Sequence, residues 1–364
     1  MTTDRRREII LGSGPLRLPV FFPDATRAVL RSLDGDDLRK SKVEGVVVNA
    51  FHLLYEPGPS VIAELGGAGK YMGWDGPVVS DSGGFQLLSM IYRDKSLGTV
   101  SREGVVFHRK SGGERRKYSL TPEASIRIQF DLGANVMFCL DDCPLAGATG
   151  DALAASVGRT VEWAARCREE YSRQAAQRKI PEARKPLLFA VIQGGDDRNL
   201  RETCFRGLEK TGFDGYGFGG WPLDERGVVN TAILGFTAEL VPRELPRFAL
   251  GVGNPAAVVE CHRLGYDMFD CSLPSRDARH KRLWVFASDP ARDAVCGTMY
   301  IDREEYVRDG RPVSEFCDCH TCTRFSRAYL NHLFKIEDSL AFRLATMHNL
   351  RTYTRLMETL RTDG

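Results

Sequence analysis

Short runs made almost wholly of apolar residues, each halted by Gly, Asp, Asn or Gln, recur along this chain and limit what it can fold into. The clearest are EGVVVNA (44–50), GPVVSDSGG (76–84), ANVMFCLDD (134–142), LLFAVIQGG (187–195), FDGYGFGG (213–220), RFALGVGNP (247–255) and GYDMFDC (265–271). Runs this short, without polar alternation, predict strands covered on both faces. Helical patterns lie between them, most plainly at 155–177 and 256–265. Strand and helix in alternation predict βα units around a parallel sheet. A dinucleotide-binding sheet would carry G-x-G-x-x-G after its first strand. No such fingerprint occurs there, so the expected fold is α/β, a (βα)8 TIM barrel.

In a barrel the C-terminal strand ends share one rim. Asp81, Asp141, Asp142, Gln193, Gly219, Gly220 and Asp270 are therefore expected to converge. A lone aspartate after a strand is about as often a loop acid or helix cap, and Asp142, just before Cys143-Pro144, is read that way. Three strands all ending in aspartate make shared chemistry the better account. An ionised Asp can attack an anomeric carbon while a second carboxyl moves protons for the leaving and entering groups. Two successive displacements retain configuration. Gln193 with Asp141 suits the N–H edge of a flat, purine-like base. Phe85 is a candidate to stack on such a ring, with core packing as its bland alternative. Ser82-Gly83-Gly84 forms a tight turn after Asp81, with amide groups available to a ligand.

No apolar run approaches the ~20 residues of a membrane helix, and the start, MTTDRRREIILGSG, lacks the pattern of a secretory signal. A cytoplasmic protein is expected. Of ten cysteines, seven are dispersed and three bunch at Cys317, Cys319 and Cys322, which reads as a reducing compartment with a metal site. CDCHTC followed by His348 fits three thiolates and one imidazole around a structural Zn2+. His320 and His332 are rival nitrogen ligands. After Trp284 the strand rhythm weakens. The expected layout is a single domain over 1–364, with a barrel over about 1–295 and a small C-terminal zinc-binding subdomain over about 296–350.

The net charge of +2 neither requires nor excludes nucleic acid, so a local basic surface decides. PSRDARHKR supplies Arg276, Arg279, His280, Lys281 and Arg282, beginning six residues past Asp270. HRKSGGERRK supplies Arg109, Lys110, Arg115, Arg116 and Lys117, which are as readily a solvated surface. Arginines beside a carboxylate nucleophile suggest a polyanion whose sugar is the electrophile. Loop or single-stranded RNA is the economical choice, because a rim cannot reach C1′ inside a duplex without extruding the nucleotide.

With these residues in view the chain resembles the tRNA-guanine transglycosylases over nearly its whole length. The matching stretches are NAFHLL, SDSGGFQ, EGVVFHRKSGGERRKYSLTPEASIRIQ, LDDC, VIQGG, LGVGNP, DMFDCSLPSRDARH and CDCHTC with His348. The resemblance implies a barrel with a zinc subdomain that exchanges an encoded guanine of tRNA for a 7-deazaguanine. DMFD and PSRDARH look like the branches acting at the anticodon wobble position, on the route to queuosine. Asp270 then corresponds to the nucleophile, Asp81 to the acid/base, Asp141 and Gln193 to base-reading residues, and Gly220 to a backbone contact. Phe85 corresponds to one side of a stacking sandwich, and Leu250 stands where the stacking Met is common. Arg276 and its neighbours fall where the family grips the anticodon loop. A homodimer is also implied. Departures cluster at Trp221, Pro222 and Leu223, beside the 7-substituent of the base, while Lys281 replaces a frequent glycine. They leave queuine and its aminomethyl precursor, preQ1, both open as the incoming base. A non-catalytic tRNA-binding subunit, or exchange on DNA, are the competing readings.

Overall fold

Branched and aromatic side chains fit a pleated surface buried on both sides, and each of the seven apolar runs supplies a strand. The computed structural model describes residues 8–111, 114–224, 227–290 and 295–362, with the side chains of 109–116 outside the description. Its main sheet comprises β1 (Val20–Pro23), β2 (Val46–Asn49), β3 (Val78–Asp81), β4 (Val136–Phe138), β5 (Leu187–Ile192), β6 (Gly215–Phe218), β7 (Arg247–Ala249) and β8 (Met268–Cys271). All neighbours pair in parallel, in the order β1-β8-β7-β6-β5-β4-β3-β2. The ring closes between β1 and β2 through a parallel bridge from Asp24 to Val47, where Ala25 N donates to Val47 O at 2.7 Å. The result is the (βα)8 barrel that the repeating runs predict.

Period-two alternation sorts the strand side chains. Phe22, Val47, Val79, Phe138, Val191 and Phe248 point inward and form one cluster, with Phe138 edge-on to Phe248 at 5.3 Å. β6 is the exception. Tyr216 and Phe218 face the helix layer, so its inward positions are Gly215 and Gly217, with Gly219 next in line. A Cβ on Gly215 would come within 2.5 Å of the Phe189 ring, and one on Gly219 within 2.5 Å of Gln193 Nε2. Bare backbone on this side lets Phe189, Phe138, Leu250 and Gln193 close against β6. The bottom is stoppered by an antiparallel hairpin, Glu8–Leu11 with Gly14–Arg17, whose Ile9, Leu11 and Leu16 join the interior cluster.

Outside the ring, α1 (Gly84–Arg93) follows β3, α2 (Gly150–Gln177) follows β4, α3 (Arg198–Thr211) follows β5 and α4 (Leu273–Arg279) follows β8. A three-stranded antiparallel sheet is inserted after α1 and carries the second basic cluster. Lys117 is exposed there; the side chains of Arg109, Lys110, Arg115 and Arg116 lie outside the described residues. Beyond α4 come a hairpin, Arg282–Phe286 with Cys296–Tyr300, and the long helix α5 (Ser339–Thr362). α5 serves two cores. Its Ala341, Leu344 and Ala345 pack with Leu283, Ile301 and Leu330, whereas Tyr353, Leu356 and Met357 pack with Phe21 and Phe269 on the barrel wall. Tyr353 lies 4.5 Å from Phe21, centroid to centroid. α5 thus covers β1 and β8. Among the described residues no helix is long and apolar enough to cross a membrane.

Candidate active site

The C-terminal strand ends meet at the top of the barrel. They enclose a cavity of about 550 Å³ lined by Asp24, Asp81, Phe85, Asp141, Gln193, Gly219, Gly220, Leu250, Asp270 and Arg276, among others. Asp81 and Asp270 arrive by the same route, an inward apolar position followed two residues later by an acid. Val79 precedes Asp81, and Met268 precedes Asp270.

Asp81 is held by the residue that opens the next turn. Asn49 caps the short helix Ala50–Leu53 through Oδ1, so its Nδ2 is left to donate to Asp81 Oδ2 at 2.8 Å. Gln86 Nε2 donates to the same oxygen at 3.3 Å. Burial nonetheless dominates and raises the Asp81 pKa, with the charge of Asp24 adding to it. Asp270 accepts from Gly251 N at 2.9 Å. Burial pushes it up to about 7, and the charges of Asp24 and Asp81 act in the same direction. Asp141 likewise rises to about 7 through burial, although Gln193 Nε2 donates to its Oδ2 at 2.7 Å. Near neutral pH such carboxyls can exchange protons in either direction.

Gln193 Oε1 is buried and has no hydrogen-bond partner among the described residues, so an acceptor waits beside the Asp141 carboxylate for a ligand donor. Arg201, on α3, secures the strand ends around it. It donates to the carbonyls of Ile192, Gly195 and Gly219 at 3.1, 2.7 and 3.0 Å and lies 4.0 Å over the Phe218 ring. Phe85 and Trp221 stand edge to face at the mouth, 5.7 Å apart, with Trp221 Nε1 donating to Pro144 O at 3.2 Å. Past Trp221 a second cavity of about 960 Å³ opens, sharing Gln193, Gly220 and Leu223 with the first.

Not every expected residue reaches this cavity. Ser82 is buried beneath it, and its hydroxyl accepts from Gly84 N instead. Asp142 pairs with Arg159 at 2.6 Å and accepts from Tyr92, which makes it an acid of the framework. In the basic segment, Arg276 reaches the mouth. The Arg279 pKa is lowered by burial and by the like charges of Arg31 and Arg276. His280 is exposed at the C-cap of α4. Lys281 pairs with Asp302 at 3.2 Å, and Arg282 lies over the Trp284 ring at 4.8 Å. Neither of those two lines the cavity. Asp24, Asn49, Arg31 and Arg201 did not emerge from the sequence. Asp24 closes VFFPD, an apolar run of the same kind as the rest, and that signal would have found it.

At the C-terminal end, one ligand atom each from Cys317, Cys319, Cys322 and His348 lies within 4.8 Å of the others. His348 Nδ1 is 3.2 Å from Cys322 Sγ and 3.6 Å from Cys319 Sγ. Its Nε2 is engaged by Trp284 O at 2.8 Å, which turns the other ring nitrogen toward the sulfurs. The set fits the tetrahedral shell of a structural Zn2+. His320 packs against Phe325 and His332 against Tyr329, so neither rival is in the cluster. Thiolate-rich ligation leaves this metal a structural task.

A family model described as queuine tRNA-ribosyltransferase matches residues 2–363. Proteins named queuine tRNA-ribosyltransferase from Staphylococcus epidermidis and Staphylococcus aureus are each 37% identical over 348 residues, covering 96% of this chain and 86% of their own length.

Proposed function

The chain belongs to the tRNA-guanine transglycosylase family, and from that premise we propose how its own residues carry out base exchange in queuosine formation. Ionised Asp270 attacks C1′ of the wobble nucleotide. The C1′–N9 bond breaks, the electron pair leaves with guanine, and Asp81 gives the departing base its proton. A 7-deazaguanine then enters and yields its N9 proton to Asp81. Its nitrogen attacks C1′ and displaces Asp270, so configuration is retained and no net proton is consumed. Asp141 and the waiting Gln193 Oε1 take the N–H edge of either base, Gly219 and Gly220 bring backbone close to it, and Phe85 and Leu250 cover its faces. Arg31, Arg276 and Arg279 meet the phosphates of the anticodon loop. Zinc, when bound, holds the C-terminal subdomain in shape and takes part in no step.

The observation that carries this reading is the convergence of Asp81, Asp141 and Asp270 on one cavity with Arg276 at its mouth. The reading favours queuine as incoming base, because the second cavity past Trp221 has room for a ring on the 7-substituent. It includes one functional unit over 1–364 with the subdomain division near residue 295, a cytoplasmic location and a homodimer. Exposed Tyr300, Phe316 and Tyr329 around the zinc subdomain support the last.

The test supplies queuine and its aminomethyl precursor separately to enzyme and an anticodon stem-loop with labelled wobble guanine. Label release is expected with both, and kcat/KM is expected to be higher for queuine. Strong preference for the precursor would overturn the choice of base, and release with neither would overturn the exchange itself.

A further inference from the structure

The cavity holds a carboxylate that the exchange steps leave without a task. On β1 the inward positions run Val20, Phe22, Asp24; the first two belong to the interior cluster, and Asp24 lines the reaction cavity. Pairing of β1 with β8 sets Phe22 opposite Asp270, and the bridge to Val47 ties Asp24 to β2. Asp24 therefore stands between Asp270 on one side and the Asn49–Asp81 pair on the other. One of its oxygens accepts from the Thr26 hydroxyl. Among the described residues no cation pairs with it.

This arrangement is unfavourable in the free protein. The Asp24 charge raises the pKa of both Asp81 and Asp270, so it makes the nucleophile harder to ionise. A negative group kept there needs a donor that arrives with the substrate. The atom joined to the reacting C1′ is C2′, and in RNA it bears a hydroxyl. A carboxylate can only accept, and that hydroxyl can donate.

Resting on the exchange reading above, we propose that Asp24 accepts from the 2′-hydroxyl of the nucleotide under attack and thereby makes the reaction selective for ribose over deoxyribose. The bond strengthens as positive charge develops on the sugar in the oxocarbenium-like transition state, as hydrogen bonds to a sugar 2-hydroxyl do in glycoside cleavage. The 2′-hydroxyl is the group by which a protein can tell RNA from DNA at a single position.

The experiment compares two stem-loops that differ only in a 2′-deoxy substitution at the labelled wobble nucleotide, with the wild-type protein, Asp24→Ala and Asp24→Asn. A hydrogen bond to a charged group is worth roughly 10- to 100-fold in rate, and the wild type is expected to favour the ribo substrate by about that factor. In Asp24→Ala the ratio should collapse toward one. Asp24→Asn keeps an acceptor for Thr26 without the charge, so it should give an intermediate ratio and serves if the alanine variant fails to fold. A wild type without ribose preference, or a preference that survives intact in both variants, would overturn the proposal. No release from either stem-loop by the wild type would overturn the exchange reading, and this inference with it.

Discussion

Acidic side chains crowd two places in this molecule, and their surroundings treat them in opposite ways. Where α5 meets the cysteine cluster, the buried guanidinium of Arg351 donates to Asp318 at 2.5 and 3.0 Å and to Glu358 at 3.0 and 2.9 Å. Its hydrogen bonds draw Asp318 down to about 2. Partial burial pushes Glu358 up, but Arg351 outweighs it and the net shift is downward. At the barrel mouth Asp81, Asp141 and Asp270 are shielded from water with no paired cation among the described residues, and all three are raised. The seam acids stabilise the fold in their charged form. The mouth acids oppose it, and that opposition keeps them able to take and give protons.

Three changes would break or sharpen this contrast. The largest effect is expected from Cys319→Ala, on the stabilised side. Zinc-site binding energy is folding energy, on the order of 10 kcal/mol in small domains. The variant should lose its metal and melt the C-terminal subdomain first. Full zinc occupancy by elemental analysis would remove Cys319 from the ligand set.

Arg351→Ala comes next. Removing one partner of a fully buried pair costs about 3–5 kcal/mol. Asp318 and Glu358 have side chains 47% and 35% exposed, so water rehydrates them and we expect roughly 2–3 kcal/mol. Urea unfolding measures it. A loss below about 0.5 kcal/mol would show that the seam is only a surface ion pair.

The smallest change in stability should come with the largest change in chemistry. Asp270→Asn removes the nucleophilic charge and should abolish the covalent RNA adduct seen by mass spectrometry of denatured mixtures. The sign of the stability effect follows from the raised pKa. A carboxyl at about 7 in the folded state and near 4 when unfolded favours folding while protonated. That stability is fully present below pH 4 and is lost as pH rises through 7. At pH 8 the wild type bears the cost and the amide does not, so Asp270→Asn should gain about 1–3 kcal/mol, with a higher Tm. The gain should shrink as pH falls from 7 and vanish below about pH 4. A variant no more stable than wild type at pH 8 would mean that Asp270 is not strained by burial.

The seven runs read from the sequence became seven of the eight barrel strands, because strands buried on both faces leave an uninterrupted apolar signature. CDCHTC with His348 was equally legible, since ligand spacing follows from metal geometry. The eighth strand, β1, and the hairpin before it were less visible. Val20–Pro23 follows directly on a hairpin whose alternation spans Glu8–Arg17, so no helical stretch sets its apolar run apart. Asp24 and Arg31 went unnoticed with that region. Ser82 shows another limit: the turn was foreseen, but which way a hydroxyl points in it depends on Gly84 N and on packing from Leu140 and Phe51. Lys281 and Arg282 read as part of one basic stretch, yet their charges are drawn off by Asp302 and Trp284, partners distant or unmarked in sequence.

The double allegiance of α5 has a consequence for how the barrel is assembled. Arg361 donates to the carbonyls of Arg17 and Pro19 and pairs with Glu44, while Thr354 reaches Ser41 and Arg343 reaches Asp37. These contacts join segments roughly 300 residues apart in sequence, so each closes a long loop and must offset its closure entropy. Until α5 docks, Phe21 and Phe269 lie bare on the ring's outer wall. The same helix bears His348, so metal capture at one end holds the other near its berth.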